Sequence, residues 1–200
     1  MSMLTDLDKI EVILKEASPV KLTNDKNTKR AAVALILREV KGGLSIIFIK
    51  RSEYENDPWS GHMAFPGGRE EEQDDTLYDT VIRETFEETG IDLRGGRIIG
   101  RLDDVRPVIR TASRNLIITP FVAIAPQNFE ICANDEVEEV VQIPISLLRQ
   151  RAITTLYEGS IQQFCTYHYR GYIIWGITAW ILSQFLNMVS SDPTSKKNFE

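Results

Sequence analysis

Sulfur chemistry is scarce in this chain of 200 residues: Cys132 and Cys165 are its two cysteines. Neither belongs to a CxxC or a Cys/His cluster, so no disulfide framework is expected, and two isolated thiols suit a reducing compartment. Basic residues are also in deficit, with 23 Lys and Arg against 29 Asp and Glu and a net charge of −6. That removes any general electrostatic case for binding nucleic acid or an anionic membrane. A negative protein acting on a negative substrate needs local basic side chains or metal ions. No long hydrophobic run is present. The most apolar late segment, YIIWGITAWILSQFL, is broken by Gly176, Thr178, Ser183 and Gln184 and is too short and mixed for a membrane span. The opening MSMLTDLDKIEVILKEA has early acids and no long apolar core, so no signal peptide is expected and the expected setting is the cytoplasm. There is no internal repeat, low-complexity tract or linker, and we expect one domain over residues 1–200 with a polar tail at 190–200.

Periodicity then suggests the elements. Residues 5–17 carry Leu7, Ile10, Ile13 and Leu14 at helical spacing, and Ser18-Pro19 ends that helix. AAVALILREV from Ala31 and LSIIFIKR after Lys41-Gly42-Gly43 read as a hairpin. Ser52 to Ser60 is a polar loop. A helix is expected over residues 76–89, ended by Gly90. RIIGRL is a short strand. NLIITPFVAIA from Asn115 is a strand expected to be bulged or at an edge because of Pro120. VEEVVQIP is strand-like and leads into a short helix at residues 145–149. FCTYHYRGYIIW reads as a hairpin, and a last helix runs over residues 176–188. Hairpins outnumber βαβ units, so the expected class is α+β, with helices packed on a mixed sheet.

The chemistry concentrates in FPGGREEEQDDTLYDTVIRETFEETGI, from Phe65 to Ile91. On a helix Glu84, Glu87 and Glu88 share one arc of roughly 100°. Tyr78, Val81, Ile82 and Phe86 take the neighbouring arc and are expected to face the core. Carboxylates three and four residues apart repel one another. Divalent cations offset that repulsion, and Mg²⁺ takes carboxylate oxygens while keeping waters for substrate phosphates. The cluster alone also fits a solvated acidic face. Gly67 and Gly68, behind Pro66, add a loop that a ligand can approach closely, which turns the segment toward a phosphate–metal site.

These residues resemble the Nudix box, G-x5-E-x7-R-E-U-x-E-E-x-G-U, with U apolar. Gly68, Arg83-Glu84, Glu87-Glu88, Gly90 and Ile91 match it. The U position holds Thr85, and Phe86 falls on the following x. The loop is one residue long: Asp74 keeps the spacing from Gly68 and Asp75 the spacing to Arg83. The resemblance implies an α/β/α sandwich around a mixed central sheet. It also implies hydrolysis of a nucleoside diphosphate linked to another moiety, with Mg²⁺ or Mn²⁺. By position it makes Glu84 and Glu88 the main metal ligands and Glu87 a third. Arg83 would orient the glutamates and pair with Asp74 or Asp75. Gly67, Gly68 and Arg51 would bind substrate. Metal ions would neutralise the phosphate oxygens, and a carboxylate would take the proton of the attacking water. Glu87 and Glu136 are the candidates for that base, the second from the acidic run Asp135 to Glu139.

A narrower resemblance, from about Ala31 to Leu186, is to the coenzyme A pyrophosphatase group of this superfamily. Arg51-Ser52, the Gly61-to-Gly68 stretch GHMAFPGG, the long loop with Asp74 and the WGITA helix start carry it. The implied products are 3′,5′-ADP and 4′-phosphopantetheine. The chain departs from the group between Arg51-Ser52 and Gly61: EYENDPWS has no basic residue, with Asn56 nearest that position. Arg106, Arg110 and Arg114 are other candidate cations for the 3′-phosphate. ADP-ribose or another diphosphate-linked nucleotide is the alternative substrate, and a non-catalytic nucleotide sensor the alternative class. His62 is expected to touch a phosphate or to pack on Trp59. Trp175 and Trp180 are expected to anchor the last helix or to line the face of a homodimer.

Overall fold

The computed structural model describes residues 6–23, 27–55, 59–107, 115–157 and 160–190. Helix α1 spans Asp6–Glu16. Strands β1 (Lys29–Val40) and β2 (Gly43–Arg51) form the expected hairpin, paired antiparallel from Ile36↔Ile47 to Val40↔Gly43. Beyond that register the two strands part. Two short strands, β3 (Met63–Ala64) and β4 (Gly67–Arg69), fill the gap: β3 pairs with the far end of β2, and β4 pairs with the near end of β1. The Phe65-Pro66 link between them lies buried, and the Pro66 carbonyl accepts the Ala34 N–H at 2.8 Å. The glycine stretch is therefore part of the sheet.

Helix α2 covers Leu77–Thr89, and both its ends are chemically specified. Thr76 is the N-cap: its hydroxyl accepts the Asp79 N–H, and it donates to the Asp79 carboxylate at 2.7 Å. Gly90 at φ 76° is the left-handed C-cap, donating its N–H to the Phe86 carbonyl. Strands β5 (Arg97–Arg101), β6 (Leu116–Ile124) and β7 (Val137–Pro144) complete the large sheet, with β6 parallel to β1 and β7 antiparallel to β2. The parallel pair among antiparallel ones makes the sheet mixed.

Pro120 does not put β6 at an edge. The strand lies between β1 and β5, and the register shift is in β5, between Ile98 and Gly100. The proline is tolerated because it faces the place where β5 ends. The Pro120 carbonyl takes the Leu102 N–H just past Arg101, and its missing N–H points to that same side. After β7, a 3₁₀ turn at Ile145–Leu147 leads to a second sheet of β8 (Arg149–Tyr157), β9 (Ser160–Tyr169) and β10 (Tyr172–Ile174). Only the β9–β10 hairpin was expected there. Helix α3 follows at Gly176–Ser190.

The strands of the large sheet alternate between two cores. On one face Leu35, Leu37, Ile46, Phe48 and Val122 pack with Leu7, Ile10 and Leu14 of α1 and with Ile181, Leu182 and Phe185 of α3. On the other, Ala32, Ala34, Ile36, Ile47 and Ala123 pack with Val81 of α2. Helices thus cover both faces, which is the sandwich expected. It also explains why β1 and β2 read as unbroken apolar runs. The face under α2 is rich in alanine, which lets the helix and its carboxylates lie close to the backbone. Trp175 and Trp180 do not anchor α3 by burial: they are 50% and 62% exposed, while Ala179, Ile181, Leu182, Phe185 and Val189 make its buried side.

Candidate functional site

Helix α2 is turned differently from the expectation. Tyr78 and Phe86 are exposed, whereas Val81, Thr85, Glu88 and Thr89 are buried. The rotation is fixed by polar contacts that outweigh the burial of two aromatic rings. Glu88, 3% exposed, accepts the Gly67 N–H at 2.7 Å. Arg83 makes a bidentate pair with Asp74, Nε to Oδ1 at 3.0 Å and Nη2 to Oδ2 at 2.8 Å. Asp74, not Asp75, is therefore the anchor of the long loop. Its Oδ2 also accepts the Thr80 hydroxyl and the Glu71 N–H, both at 3.0 Å. Arg83 holds its carboxyl down at about 2. The remaining Arg83 donors reach Glu84 at 3.0 Å, Glu87 at 3.2 Å and the Arg69 carbonyl at 3.1 Å. Glu70, Glu71 and Glu72 are exposed.

The two glycines serve this arrangement. A Cβ on Gly67, at φ 140°, would lie 2.2 Å from the Ala32 carbonyl oxygen. A Cβ on Gly68 would lie within 2.5 Å of both Glu84 carboxylate oxygens. Gly67 also departs from the expected phosphate cradle, because its N–H is given to Glu88. The glycines bring helix carboxylates against strand backbone.

Electrostatics draw the other candidates into the same place. Burial pushes Glu88 up to about 8 against the pull of the Gly67 N–H, and the charges of Glu84 and Glu136 add to the rise. Arg51 works in the opposite direction on Glu88. Burial also raises Glu84, with Arg83 opposing and Glu87 and Glu136 adding. Arg51 and Glu136 arrive by strand pairing. Arg51 ends β2 opposite Val137, and the Ser52 N–H donates to the Glu136 carbonyl at 2.9 Å. The rest of that acidic run points elsewhere: Glu138 pairs with Lys50, and Glu139 accepts the Tyr172 hydroxyl at 2.7 Å.

As they stand, no three of the His, Cys, Asp or Glu side chains among the described residues are close enough to hold an ion. Glu88 is turned to Gly67, and Glu84 and Glu87 are turned to Arg83. The donor set nevertheless fits a hard divalent cation. Glu84 raises the pKa of Glu88 and Glu87 that of Glu84, so the cluster lacks positive charge, and all its donor atoms are oxygen.

Several contributors escaped the sequence. Thr80, beneath Asp74, carries no motif signal. Tyr54 straps the loop after β2 to the acidic loop by donating to the Asp135 carbonyl at 2.7 Å. The His62 ring meets Trp175, with centroids 4.5 Å apart, while the His62 backbone N–H donates to the Trp59 carbonyl. Arg106 is exposed and donates to the Thr23 carbonyl. Asn56, Arg110 and Arg114 lie outside the described residues.

Comparison with known proteins identifies the family of this fold. The family model of the NUDIX domain matches residues 28–164. Proteins described as uncharacterized Nudix hydrolase NudL, from Yersinia pestis (strain Pestoides F) and Yersinia pseudotuberculosis serotype O:1b (strain IP 31758), are each 29% identical over 168 residues. Those matches cover 82% of this chain and 81% of the relatives. Among solved structures, the NUDIX domain of Shewanella oneidensis NrtR, complexed with ADP ribose, aligns with a TM-score of 0.50 at 22% identity. It covers 61% of this chain and 76% of that one, a likeness of fold. The chain belongs to the Nudix family and is a pyrophosphohydrolase of nucleoside diphosphate derivatives.

Proposed function

We propose that this chain hydrolyses the pyrophosphate bond of coenzyme A, giving 3′,5′-ADP and 4′-phosphopantetheine. One observation carries the reading: the bidentate Asp74–Arg83 pair. The extra loop residue that distinguishes the coenzyme A pyrophosphatase group leaves an aspartate at position 74. That aspartate closes the long loop onto the helix that bears the glutamates. The GHMAFPGG and WGITA stretches support the same group.

Enzymes of this family need divalent metal ions. In our reading Glu84, Glu88 and Glu87 hold Mg²⁺ or Mn²⁺. The ion, when bound, offsets phosphate charge and lowers the pKa of water. The chain's own residues do the rest. Arg83, fixed by Asp74, holds the carboxylates of Glu84 and Glu87 in place. Arg51 stands at the end of β2 as the cation for a substrate phosphate, and the Gly67-Gly68 strand sets the floor. Glu136 is exposed yet close enough to act on both Glu84 and Glu88, which suits a base that takes a proton from water. Glu87 is the other candidate. Replacing Glu136 by Gln is expected to lower kcat by two orders of magnitude or more, with Glu87→Gln as comparator. Unchanged turnover in Glu136→Gln removes it from the mechanism.

A second reading is hydrolysis of ADP-ribose, favoured by the ADP ribose bound to the NrtR domain of like fold. The test is product analysis with coenzyme A and ADP-ribose in parallel, each with Mg²⁺, Mn²⁺ or EDTA. A kcat/KM at least tenfold higher for coenzyme A supports the first reading. The reverse order supports the second. Metal-dependent cleavage of neither rejects both.

A further inference from the structure

We propose that Trp175, braced by His62, is the surface on which the nucleobase of the substrate stacks. The inference rests on the diphosphate being bound at the α2 carboxylates. The side chains assigned to that site, Arg51 and the glutamates, recognise charge, and none of them is a flat ring. A nucleoside held there by its phosphates carries its base about one ribose away and needs a flat apolar surface at that range.

Trp175 is an exposed ring in contact with His62, the residue that pairs with Arg51. It sits between β10 and α3, preceded by Ile174 at 0% exposure and followed by the exposed Gly176, and is itself 50% exposed. Ile174 is fixed in the core while the indole stands out. His62 approaches with ring centroids 4.5 Å apart and planes at 68°, an edge-on contact that orients the indole. The His62 carbonyl accepts the Arg51 N–H at 3.0 Å, and Arg51 is the cation that acts on Glu88. The indole therefore lies against the residue that pairs with Arg51 across the β2–β3 edge.

The other exposed aromatics fit less well. Tyr54 is bound through its hydroxyl to the Asp135 carbonyl, as a strap between loops. Tyr78 and Phe86 are the exposed rings of α2, and Trp180 sits a full turn into α3. Stacking also suits an acidic chain, because it needs no net positive charge and accepts any base. A braced ring loses little freedom on binding.

The test compares wild type, Trp175→Ala, Trp175→Phe and Tyr54→Phe by calorimetric titration with AMP and with ribose 5-phosphate, at saturating Mg²⁺. Trp175→Ala is expected to weaken AMP about tenfold, in the range of base–aromatic stacking, and to leave ribose 5-phosphate within twofold. Trp175→Phe is expected to recover most of the loss. In turnover, KM for the nucleotide substrate rises about tenfold while kcat changes much less. Equal losses for both ligands would mean that Trp175 only supports the fold, and overturn the inference. So would unchanged AMP affinity, or a wild type that binds no AMP. A changed oligomeric state with AMP affinity intact would assign the indole to a contact between copies and overturn it too. Failure of the coenzyme A reading looks different: AMP still binds through Trp175, but coenzyme A is not cleaved.

Discussion

Thr85 stands where the Nudix motif prefers an apolar residue, and the structure shows what that costs. The side chain is wholly buried, and its hydroxyl has no hydrogen-bond partner. A buried hydroxyl left unpaired is penalised by about 1–3 kcal/mol, whereas an apolar group of the same shape is not. Thr85→Val is therefore expected to raise stability by about 1 kcal/mol. That corresponds to roughly 2–4 °C in Tm for a chain of this size, with activity retained, as scanning calorimetry would register. Asp74 is the opposite case, a carboxylate with every demand met. Its pKa falls from 3.8 to about 2 in the folded protein, chiefly through Arg83. Because the folded value lies below the unfolded one, the stabilisation is complete above about pH 5 and is lost as pH falls through 2. It amounts to about 2 kcal/mol at neutral pH. Asp74→Asn should lose that increment at pH 7, and its unfolding curve should converge with wild type toward pH 2. Parallel curves from pH 7 to pH 2 would refute the linkage.

Elements, rather than residues, explain why two adjacent glycines answer differently to the same change. Gly67 belongs to β4 and meets the β1 backbone, which cannot retreat without parting the strands; its φ of 140° is also one that alanine avoids. Gly67→Ala is expected to cost more than 3 kcal/mol or to prevent folding. At Gly68 the nearest atoms are those of the flexible end of Glu84. Gly68→Ala should keep a Tm within about 2 °C of wild type, because a side chain can rotate, yet lose at least tenfold in kcat, because that side chain is Glu84. Thermal melts beside metal-dependent turnover separate the two outcomes. At this scale the sequence is legible where local chemistry fixes the element. Thr76 and Gly90 set the ends of α2 within a residue, and the continuous apolar runs gave β1 and β2. It is misleading where distant partners decide. Pro120 suggests an edge until β5 is seen to stop beside it. The rotation of α2 depends on Gly67 and Asp74 rather than on its own apolar arc, so Phe86 faces outward. β8 is exposed from Arg149 to Thr154, leaves no burial alternation to read, and exists because β9 pairs with it.

Across the whole molecule, the sheet opens where β1 and β2 part, and β3, β4 and the carboxylates of α2 fill the opening. The protein has invested a break in its central hairpin to bring acidic oxygens against backbone, in a chain that already carries net charge −6. That arrangement is uneasy without a cation. Glu88 is buried and Glu84 half-buried, the charge of Glu84 bears on Glu88, and both feel Glu136 as well. A divalent ion that binds only the folded state therefore adds stability as RT ln(1 + [L]/Kd), about 1.4 kcal/mol at ten times Kd. For a chain of this length that is roughly 3–6 °C. We expect Mg²⁺ or Mn²⁺ to raise Tm by this amount, with saturation, and EDTA to reverse the shift. Burial holds Glu88 up at about 8, so without metal it is largely a neutral carboxyl at pH 7. Glu88→Gln puts a neutral amide of the same shape in its place, one that still accepts the Gly67 N–H, so the metal-free protein should be no less stable than wild type. Its metal-induced shift should fall below about 1 °C, the part that remains coming from Glu84 and Glu87. A full shift in Glu88→Gln would move the ion away from the buried end of α2, and Glu84→Gln would then show whether it lies at the Gly68 side or elsewhere on the chain.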